Sequence, residues 1–185
     1  MSRYKAILEM VRRGVSTSST LWRGKPLGTA GALKNAERYL NGTFLVLNGD
    51  TYLEIDVEAL ITSHRRRRAA NQAVVATIAL LGTEPWSNGG VVELGNGGRI
   101  LSFTEKPPKG HSLRTMSTGI YIMEPAILDF IPSGRSVSLE REIFPRLLQD
   151  DLLLLCGYLV KGFFVDIGTP EEYNDFVHYI EALMP

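Results

Sequence analysis

The sequence has little of several features that mark whole classes of protein. Its single cysteine, Cys156, lies in an apolar run, so no disulfide can form within the chain, and the three histidines share no metal-ligand spacing with it. Twenty basic residues balance twenty acidic ones, so no overall positive field favours nucleic acid. No apolar run is long enough for a membrane span, and no signal-peptide core follows Met1. These absences predict a cytoplasmic protein that binds neither nucleic acid nor membrane.

Two common catalytic motifs are also absent. The sequence contains no Gly-x-Ser-x-Gly nucleophile elbow and no Gly-x-x-x-x-Gly-Lys-Ser/Thr phosphate loop. What it does contain is a hydrophobic content of 44% over 185 residues, which is enough to bury a sizeable core. We therefore expect one globular domain over residues 1–185.

Hydrophobic periodicity predicts helices that alternate with short strands. Helices are expected at 5–13, 28–40, after Asp56, from Pro125, at 139–148 and after Thr169, where Pro170 and Glu172 complete a capping box. Strands are expected at 43–47, 73–81, 91–94, 99–103, 117–123, 152–160 and 163–167. The order strand 43–47, helix, strand 73–81 favours a parallel sheet whose first strand is buried on both faces. Gly95-Asn96-Gly97-Gly98 predicts an antiparallel hairpin.

Two aspartates each follow a buried strand, Asp50 after residues 44–49 and Asp166 after residues 163–165. In an open α/β sheet, ligands bind outside the carboxyl ends of the strands, so both carboxylates are candidates for one crevice. Such carboxylates suit Mg²⁺, which takes one or two of them and bridges to substrate phosphates. The alternative is that both residues only form turns, for which aspartate is favoured independently of any metal.

Three further segments are candidates for ligand contacts. The loop of residues 26–31 precedes a helix, so its amides face a phosphate or a base edge, although a glycine-rich turn alone is weak evidence. Lys106 follows Glu105 at the end of the hairpin and is a point charge for a sugar phosphate, or simply a solvated strand end. Gly119 begins a strand and either admits a ligand to the backbone or serves packing. The arginine run 65–68 is interpreted as a solvated helix end.

Five motifs, taken together and in order, resemble the sugar-nucleotide pyrophosphorylase (sugar-1-phosphate nucleotidyltransferase) family. They are Leu27-Gly28-Thr29-Ala30-Gly31-Ala32, Asn48-Gly49-Asp50, Phe103-Thr104-Glu105-Lys106-Pro107, Thr118-Gly119-Ile120-Tyr121 and Val165-Asp166-Ile167-Gly168-Thr169-Pro170-Glu171. Residues 26–178 are therefore identified as a family-like core. The segment 26–36 together with residues 48–51 is most similar to the branch that activates mannose or heptose with GDP.

The resemblance implies an α/β fold and a reaction. The fold is a Rossmann-like nucleotidyltransferase domain, three layers α/β/α, with a mostly parallel sheet and an antiparallel hairpin excursion. In the reaction, a sugar 1-phosphate attacks the α-phosphorus of a nucleoside triphosphate, which yields an NDP-sugar and pyrophosphate. By position, Asp50 and Asp166 would be catalytic and hold Mg²⁺. The nucleotide would contact Leu27, Gly28, Thr29, Ala30 and Gly31, and the sugar phosphate would contact Glu105, Lys106, Thr118 and Gly119.

The sequence departs from the family pattern at its front. The family begins with a strand followed by Gly-Gly-x-Gly-Thr-Arg and a later Lys-Pro, and residues 1–25 match none of this. Such glycine amides and an arginine stabilise charge that develops on departing pyrophosphate. We therefore expect an N-terminally truncated fold with a divergent segment 1–25 and little catalysis by the chain alone. A missing central strand would expose a sheet edge, which predicts a homo-oligomer.

Two alternatives remain open on the sequence. One is a non-catalytic module or regulatory subunit that binds an NDP-sugar or a sugar phosphate, which absence of turnover would indicate. The other is a glycosyltransferase of related fold, in which Asn48-Gly49-Asp50 is a degenerate Asp-x-Asp motif. Release of free NDP, rather than pyrophosphate, distinguishes this second alternative.

Overall fold

A computed structural model describes residues 25–82, 89–108, 115–149 and 153–183, so the predicted helix at 5–13 lies outside the described residues. The other predicted helices and strands are confirmed, with small shifts at their ends. The helices are α1 Gly28–Asn35, α2 Val57–Ala70, α3 Phe144–Leu148 and α4 Pro170–Leu183. The strands are β1 Phe44–Leu47, β2 Thr51–Leu53, β3 Val74–Gly82, β4 Gly90–Leu94, β5 Ile100–Glu105, β6 Thr115–Met123, β7 Leu154–Val160 and β8 Phe164–Asp166. Shorter turns of helix occupy Glu37–Tyr39, Asn96–Gly98, Pro125–Phe130 and Leu139–Ile143.

The main sheet is built around β6. This strand pairs antiparallel with β1 and β4 along one edge and with β3 along the other, and β7 pairs parallel to β3. The predicted hairpin of β4 and β5 extends the sheet beyond β6. Among the described strands, β1, β3, β4 and β7 consequently point one way, and β5 and β6 point the other way. Strands β2 and β8 form a separate two-stranded sheet.

The position of β6 was not predicted. The β1, α2, β3 order does give two strands of the same direction, as expected, but β6 lies between them and they are not hydrogen-bonded neighbours. Strand β6 enters the sheet long after both in the sequence, and its run of buried residues from Thr118 to Met123 fits a central position. Local patterning indicates that such a strand is buried but not which strands flank it.

Side chains that alternate along β6 divide the core into two halves. Tyr121 and Met123 pack with α1, α3 and the turn at Leu139–Ile143, whereas Ile120 and Ile122 pack with α2 and β2. Because successive residues of a strand point to opposite faces, this division places helices on both sides of the sheet. The three-layer mixed α/β architecture that the sequence resemblance implied is therefore present.

One prediction about β1 is wrong. This strand was expected to be buried on both faces, but Phe44, Leu45 and Val46 are only partly buried and Leu47 is 47% exposed. Within the described residues, β1 is paired with β6 alone, so one of its edges and part of its surface lack the cover that a central strand receives.

The arginine run at the end of α2 is only partly a solvated helix end. Arg65 and Arg66 are exposed as predicted. Arg67 instead donates to the carbonyls of Gly97 and Gly157, and Arg68 donates to the carbonyls of Gln72 and Val74. These two side chains fasten α2 to neighbouring strands and turns, which the local sequence does not reveal because most of the partners lie in other elements.

Arg68 also approaches a buried polar network. Glu124 accepts from Thr43 Oγ1 at 2.6 Å, and His64 Nε2 lies 3.0 Å from the same Glu124 oxygen. The other ring nitrogen of His64 lies 2.9 Å from Thr77 Oγ1, and Arg68 Nε lies 3.3 Å from the second Glu124 oxygen. A buried carboxylate with this many partners ties β1, α2, β3 and the end of β6 together.

Candidate functional site

Several of the predicted site residues meet at one cavity of about 450 Å³. Glu105 comes from the end of β5, Thr118 and Gly119 from β6, and Asp166 from the end of β8. These positions are far apart in the chain, and the fold brings them into one wall. The cavity is also lined by residues for which the sequence predicted no ligand contact, namely Asn48, Thr51, Gly89, Gly90, Phe103, Met116, Ser117, Tyr121, Glu140, Phe163, Phe164, Val165, Glu172 and Asp175.

A second cavity adjoins the first. Leu27, Gly28 and Thr29 of the glycine-rich loop line it, together with Asn48 and Gly49 at the end of β1. Thr29 and Asn48 belong to the walls of both cavities. The two spaces therefore adjoin at these residues, and together they are called the crevice.

The glycine-rich loop is held by a neighbouring segment. The amides of Ala30 and Gly31 donate to the carbonyl of Val137 at 3.0 and 3.3 Å, and the amide of Val137 donates to Leu27 at 2.9 Å. Gly28 has φ +70°, and a Cβ there would lie 2.4 Å from the Val137 oxygen. The amides of Ala30 and Gly31 were predicted to face a ligand, but they donate to the protein's own Val137 carbonyl instead. Leu27, Gly28 and Thr29 are the part of the loop that faces the second cavity.

Gly119 makes a close contact with Asn48, which lines both cavities. Its φ is +74°, its carbonyl accepts from the Asn48 amide at 3.0 Å, and a Cβ would lie 2.4 Å from Asn48 Nδ2. Any larger residue would both strain the backbone and displace Asn48. Thr118, which precedes it, is buried and donates to the carbonyl of Ala79 at 2.9 Å. Its hydroxyl hydrogen is thereby directed into the sheet.

The two candidate metal ligands are placed side by side by the small sheet. Thr51 is the register partner of Asp166, and the amide of Ile167 donates to the carbonyl of Asp50 at 2.8 Å. Asp166 Oδ1 accepts from the amide of Gly168 at 3.1 Å, which is the Asx-type contact that the alternative interpretation expected. Both aspartates are exposed, and Asp166 lines the first cavity, whereas Asp50 lines neither cavity.

The electrostatics of this aspartate pair favour a cation. Burial, followed by the negative charge of Asp50, raises the pKa of Asp166, and Glu172 adds to the effect, while the Gly168 hydrogen bond opposes it. A carboxylate whose pKa is raised by a neighbouring negative charge is stabilised by a bound positive charge. Among the described residues, no group of three or more His, Cys, Asp or Glu side chains is arranged as a metal site. Mg²⁺ needs only one or two protein carboxylates when phosphate oxygens complete its shell.

A cluster of aromatic rings supports the small sheet. Tyr52 of β2 contacts Phe176 of α4 at a centroid distance of 4.9 Å, and Phe163 stacks on Tyr179 at 3.7 Å. The predicted capping box at the start of α4 is confirmed, because the amides of Thr169 and Glu172 each donate to the other residue's side chain at 3.2 Å. Packing and cap together fix the turn that follows Asp166.

Glu105 is a further carboxylate that lines the first cavity. Gly90 makes room for it, since a Cβ there would lie 2.9 Å from Glu105 Oε2. Burial, followed by the negative charge of Glu140, raises the pKa of Glu105, and Arg141 and Lys106 oppose the shift. Lys106 has φ +51°, an uncommon conformation for a residue other than glycine that often marks a functional position.

The sequence reading missed Glu140 and the phenol of Tyr121 as site groups. Glu140 was assigned only to a helix, and Tyr121 was quoted within a motif but given no role. Both line the cavity, and Tyr121 OH donates to Glu140 at 3.0 Å. Glu140 lies 19 residues from Tyr121 and 111 residues from Thr29, which also donates to it. No local spacing in the sequence indicates these contacts.

Comparison with known families adds an independent observation. The family model described as nucleotidyl transferase matches residues 4–182. A UTP--glucose-1-phosphate uridylyltransferase from Synechocystis sp. is 37% identical over 156 residues, which cover 81% of this chain and 39% of that protein. A mannose-1-phosphate guanylyltransferase from Mycobacterium tuberculosis is 36% identical over 152 residues, which cover 80% of this chain and 40% of that protein. The chain thus spans about two fifths of the length of these curated relatives.

Solved structures show the same fold. HddC from Yersinia pseudotuberculosis, complexed with GMP-PN, superimposes with a TM-score of 0.67 and 25% identity over 95% of this chain and 74% of that one. A UTP-bound UGPase from Acinetobacter baumannii gives a TM-score of 0.67 at 19% identity, over 96% of this chain and 65% of that one. Within the described residues, no helix is long and apolar enough to cross a membrane.

Proposed function

The chain belongs to the nucleotidyl transferase family, and from this membership we propose that its crevice binds an NDP-sugar together with Mg²⁺. The crevice would form the metal, base and sugar-phosphate side of a site that transfers NMP from a nucleoside triphosphate to a sugar 1-phosphate. The observation that carries the proposal is the convergence of Glu105, Gly119 and Asp166 on one cavity that continues to the glycine-rich loop. The curated relatives are uridylyl- and guanylyltransferases of sugar 1-phosphates, which supports the same substrate class.

The diphosphate would lie beside the paired aspartates. Asp50 and Asp166 are the residues that would hold Mg²⁺, because both are hard oxygen donors and their mutual repulsion falls when a cation binds. The bound ion would supply positive charge that stabilises the phosphates. This arrangement accounts for two carboxylates at a place where a phosphate alone would be repelled.

The sugar and the base would occupy opposite ends of the crevice. Glu105 accepts hydrogen bonds from sugar hydroxyls, and Gly119 lines the wall of the first cavity that the sugar phosphate would face. Lys106 supplies a positive charge to the phosphate from the turn beside Glu105. Leu27, Gly28 and Thr29 form an apolar and hydroxyl-bearing wall against which a planar base would lie.

Calorimetric titration of the 185-residue chain with UDP-glucose and with GDP-mannose, each with and without Mg²⁺, tests this function. We expect Mg²⁺-dependent binding of at least one of them at millimolar concentration. Asp166→Asn and Asp50→Asn should each weaken it roughly tenfold or more, because a ligand to the cation is lost. Asp129→Asn, at an exposed position in another element, is the matched control. No binding at millimolar concentration, or equal binding by the aspartate variants, would overturn the proposal.

We also propose that copies of the chain associate through β1. The half-exposed Leu47 and the partly buried Val46 present apolar surface beside a strand that, in the described part of the chain, is paired on one side. Sedimentation analysis should show a dimer or larger species at high micromolar concentration, and Leu47→Lys should shift it toward monomer. A monodisperse monomeric parent chain contradicts this expectation.

A further inference from the structure

Glu140 stands in the wall of the first cavity surrounded by hydroxyl groups. Its Oε2 accepts from Thr29 Oγ1 at 2.8 Å and from Ser138 Oγ at 2.9 Å, and its Oε1 accepts from Tyr121 OH at 3.0 Å. Thr29 belongs to the glycine-rich loop and Tyr121 to β6, so Glu140 links these two segments beside the first cavity. No sequence motif assigned a role to this carboxylate.

The directions of these hydrogen bonds follow from their neighbours. The amide of Leu139 donates to Thr29 Oγ1 at 2.8 Å, and the amide of Arg141 donates to Ser138 Oγ at 3.2 Å. An amide only donates, so each hydroxyl keeps its own hydrogen for Glu140. All three O–H groups therefore donate to the Glu140 carboxylate, which accepts from each of them. Within the described residues Oε1 has one donor, which leaves a lone pair for a donor in the cavity.

Glu105 brings a second carboxylate to the same cavity. Glu105 and Glu140 both line the first cavity, and burial followed by the charge of Glu140 raises the pKa of Glu105. Burial, followed by Glu140, likewise raises the pKa of Tyr121, so its phenol stays protonated and keeps donating. The space between the carboxylates therefore favours neutral hydrogen-bond donors and repels an anionic substituent.

We propose that Glu140 is a specificity-determining residue that accepts a hydrogen bond from a hydroxyl of the glycosyl group, opposite Glu105. The inference rests on the proposed function of this crevice and narrows its substrate class. The cavity selects a neutral, hydroxyl-rich sugar, discriminates against the analogue that lacks the contacted hydroxyl, and excludes a sugar that carries a carboxylate. Removal of a hydroxyl would leave acceptors that the bound sugar covers without a partner, which is the strongest basis for such discrimination.

The test measures ratios of dissociation constants by calorimetry in the presence of Mg²⁺. UDP-glucose is compared with its mono-deoxy analogues and with UDP-glucuronate, and GDP-mannose with its mono-deoxy analogues. We expect one deoxy analogue, and UDP-glucuronate, to bind the parent chain roughly tenfold more weakly or worse than the matched sugar. Glu140→Gln should reduce that deoxy discrimination to about threefold or less. The glutamine amide replaces one of the two acceptor oxygens with an NH2 group, which donates and does not accept.

Two further variants separate specificity from folding. Tyr121→Phe keeps the ring and removes the donor to Glu140, so the discrimination should change without loss of the fold. Glu142, on the same turn of helix, accepts from the Ser138 amide at 3.0 Å and pairs with Arg135 at 3.2 Å. Glu142→Gln is therefore the matched control and should preserve the parent ratios.

The outcomes distinguish failure of this inference from failure of the proposed nucleotide-sugar binding. If the parent chain binds no nucleotide sugar, both fail. If it binds one with Mg²⁺ yet tolerates every deoxy analogue and UDP-glucuronate equally, only the inference fails. The inference also fails if Glu140→Gln keeps the parent ratios of dissociation constants. If Glu140→Gln does not fold, Tyr121→Phe is judged by the same criterion. An altered deoxy ratio in these variants, with Glu142→Gln unchanged, supports it.

Discussion

Gly119 illustrates how much a single residue decides at this site. Its positive φ and the 2.4 Å approach of a Cβ to Asn48 mean that Gly119→Ala should destabilise the fold by about 2–4 kcal/mol, from backbone strain and displacement of Asn48. Gly134 has φ +77° with nothing near a Cβ, so Gly134→Ala should lose only about 1 kcal/mol. Urea unfolding of both variants measures the difference. Equal losses would show that Asn48 moves away freely.

Glu124 provides a pH-dependent contribution to stability. Burial alone would raise its pKa, but hydrogen bonds from Thr43 and His64 and the charge of Arg68 outweigh burial and lower it below the ordinary value of 4.5. Because the pKa of Glu124 is lower in the folded state, the unfolded state binds a proton at this carboxylate first as pH falls. The stabilisation is therefore present at neutral pH and is lost as pH falls below 4.5 toward the folded pKa.

Glu124→Gln should therefore be less stable than the parent chain at neutral pH, by about 1–3 kcal/mol, and the gap should narrow in acid. Urea unfolding at neutral pH and near pH 4 tests this, with the exposed Glu181→Gln as control. A gap that stays constant or widens in acid would contradict the lowered pKa.

At this scale, sequence reasoning succeeded where a residue's role is local. A helix was predicted to begin after Asp56, and the Asp56 carboxylate caps α2 by accepting from the amide of Ala59 at 3.0 Å, three residues away. Glu140 and Glu124 were missed because the hydroxyls they bind lie mainly in distant segments of the chain. Arg67 was misjudged for the same reason.

The capping box of α4 is the element-level device that bears most directly on the site. Thr169→Ala removes the acceptor for the Glu172 amide and should destabilise the chain by about 1 kcal/mol. Because the cap follows Asp166 directly, the variant should also weaken Mg²⁺-dependent nucleotide-sugar binding. Thr62→Ala, at an exposed position inside α2, should be neutral or slightly stabilising. Thermal unfolding and calorimetry of the two variants check both effects. Equal stability and equal binding of the two variants would contradict a role for the cap.

Element types were largely predictable, whereas their neighbours were not. The strong period and turn signals of β3, α2 and the β4–β5 hairpin specify local structure, and the structure agrees. The insertion of β6 between β1 and β3 depends on long-range packing of Ile120 to Met123 against both halves of the core. The pairing of β2 with β8, which places Asp50 beside Asp166, likewise joins segments that are more than a hundred residues apart.

For the whole molecule, binding and turnover are expected to separate. The Gly-Gly-x-Gly-Thr-Arg motif that the family resemblance links to the triphosphate does not occur in residues 1–185. We expect this 185-residue chain, incubated with Mg²⁺, UTP or GTP and a hexose 1-phosphate, to release no pyrophosphate above background in a coupled assay. Release at an ordinary enzyme rate that Asp50→Asn abolishes would contradict this expectation, and release of free NDP from an NDP-sugar would favour a glycosyltransferase.

The central claim is that one crevice joins the glycine-rich loop, the ends of β1 and β8, and the middle of β6. Amide chemical-shift mapping of the ¹⁵N-labelled chain, titrated with Mg²⁺ and whichever of UDP-glucose or GDP-mannose binds, tests it most directly. The account predicts that the largest shifts fall at Thr29, Asn48, Glu105, Gly119 and Gly168. Shifts concentrated instead along the exposed face of α2, or spread evenly over the chain, would contradict it.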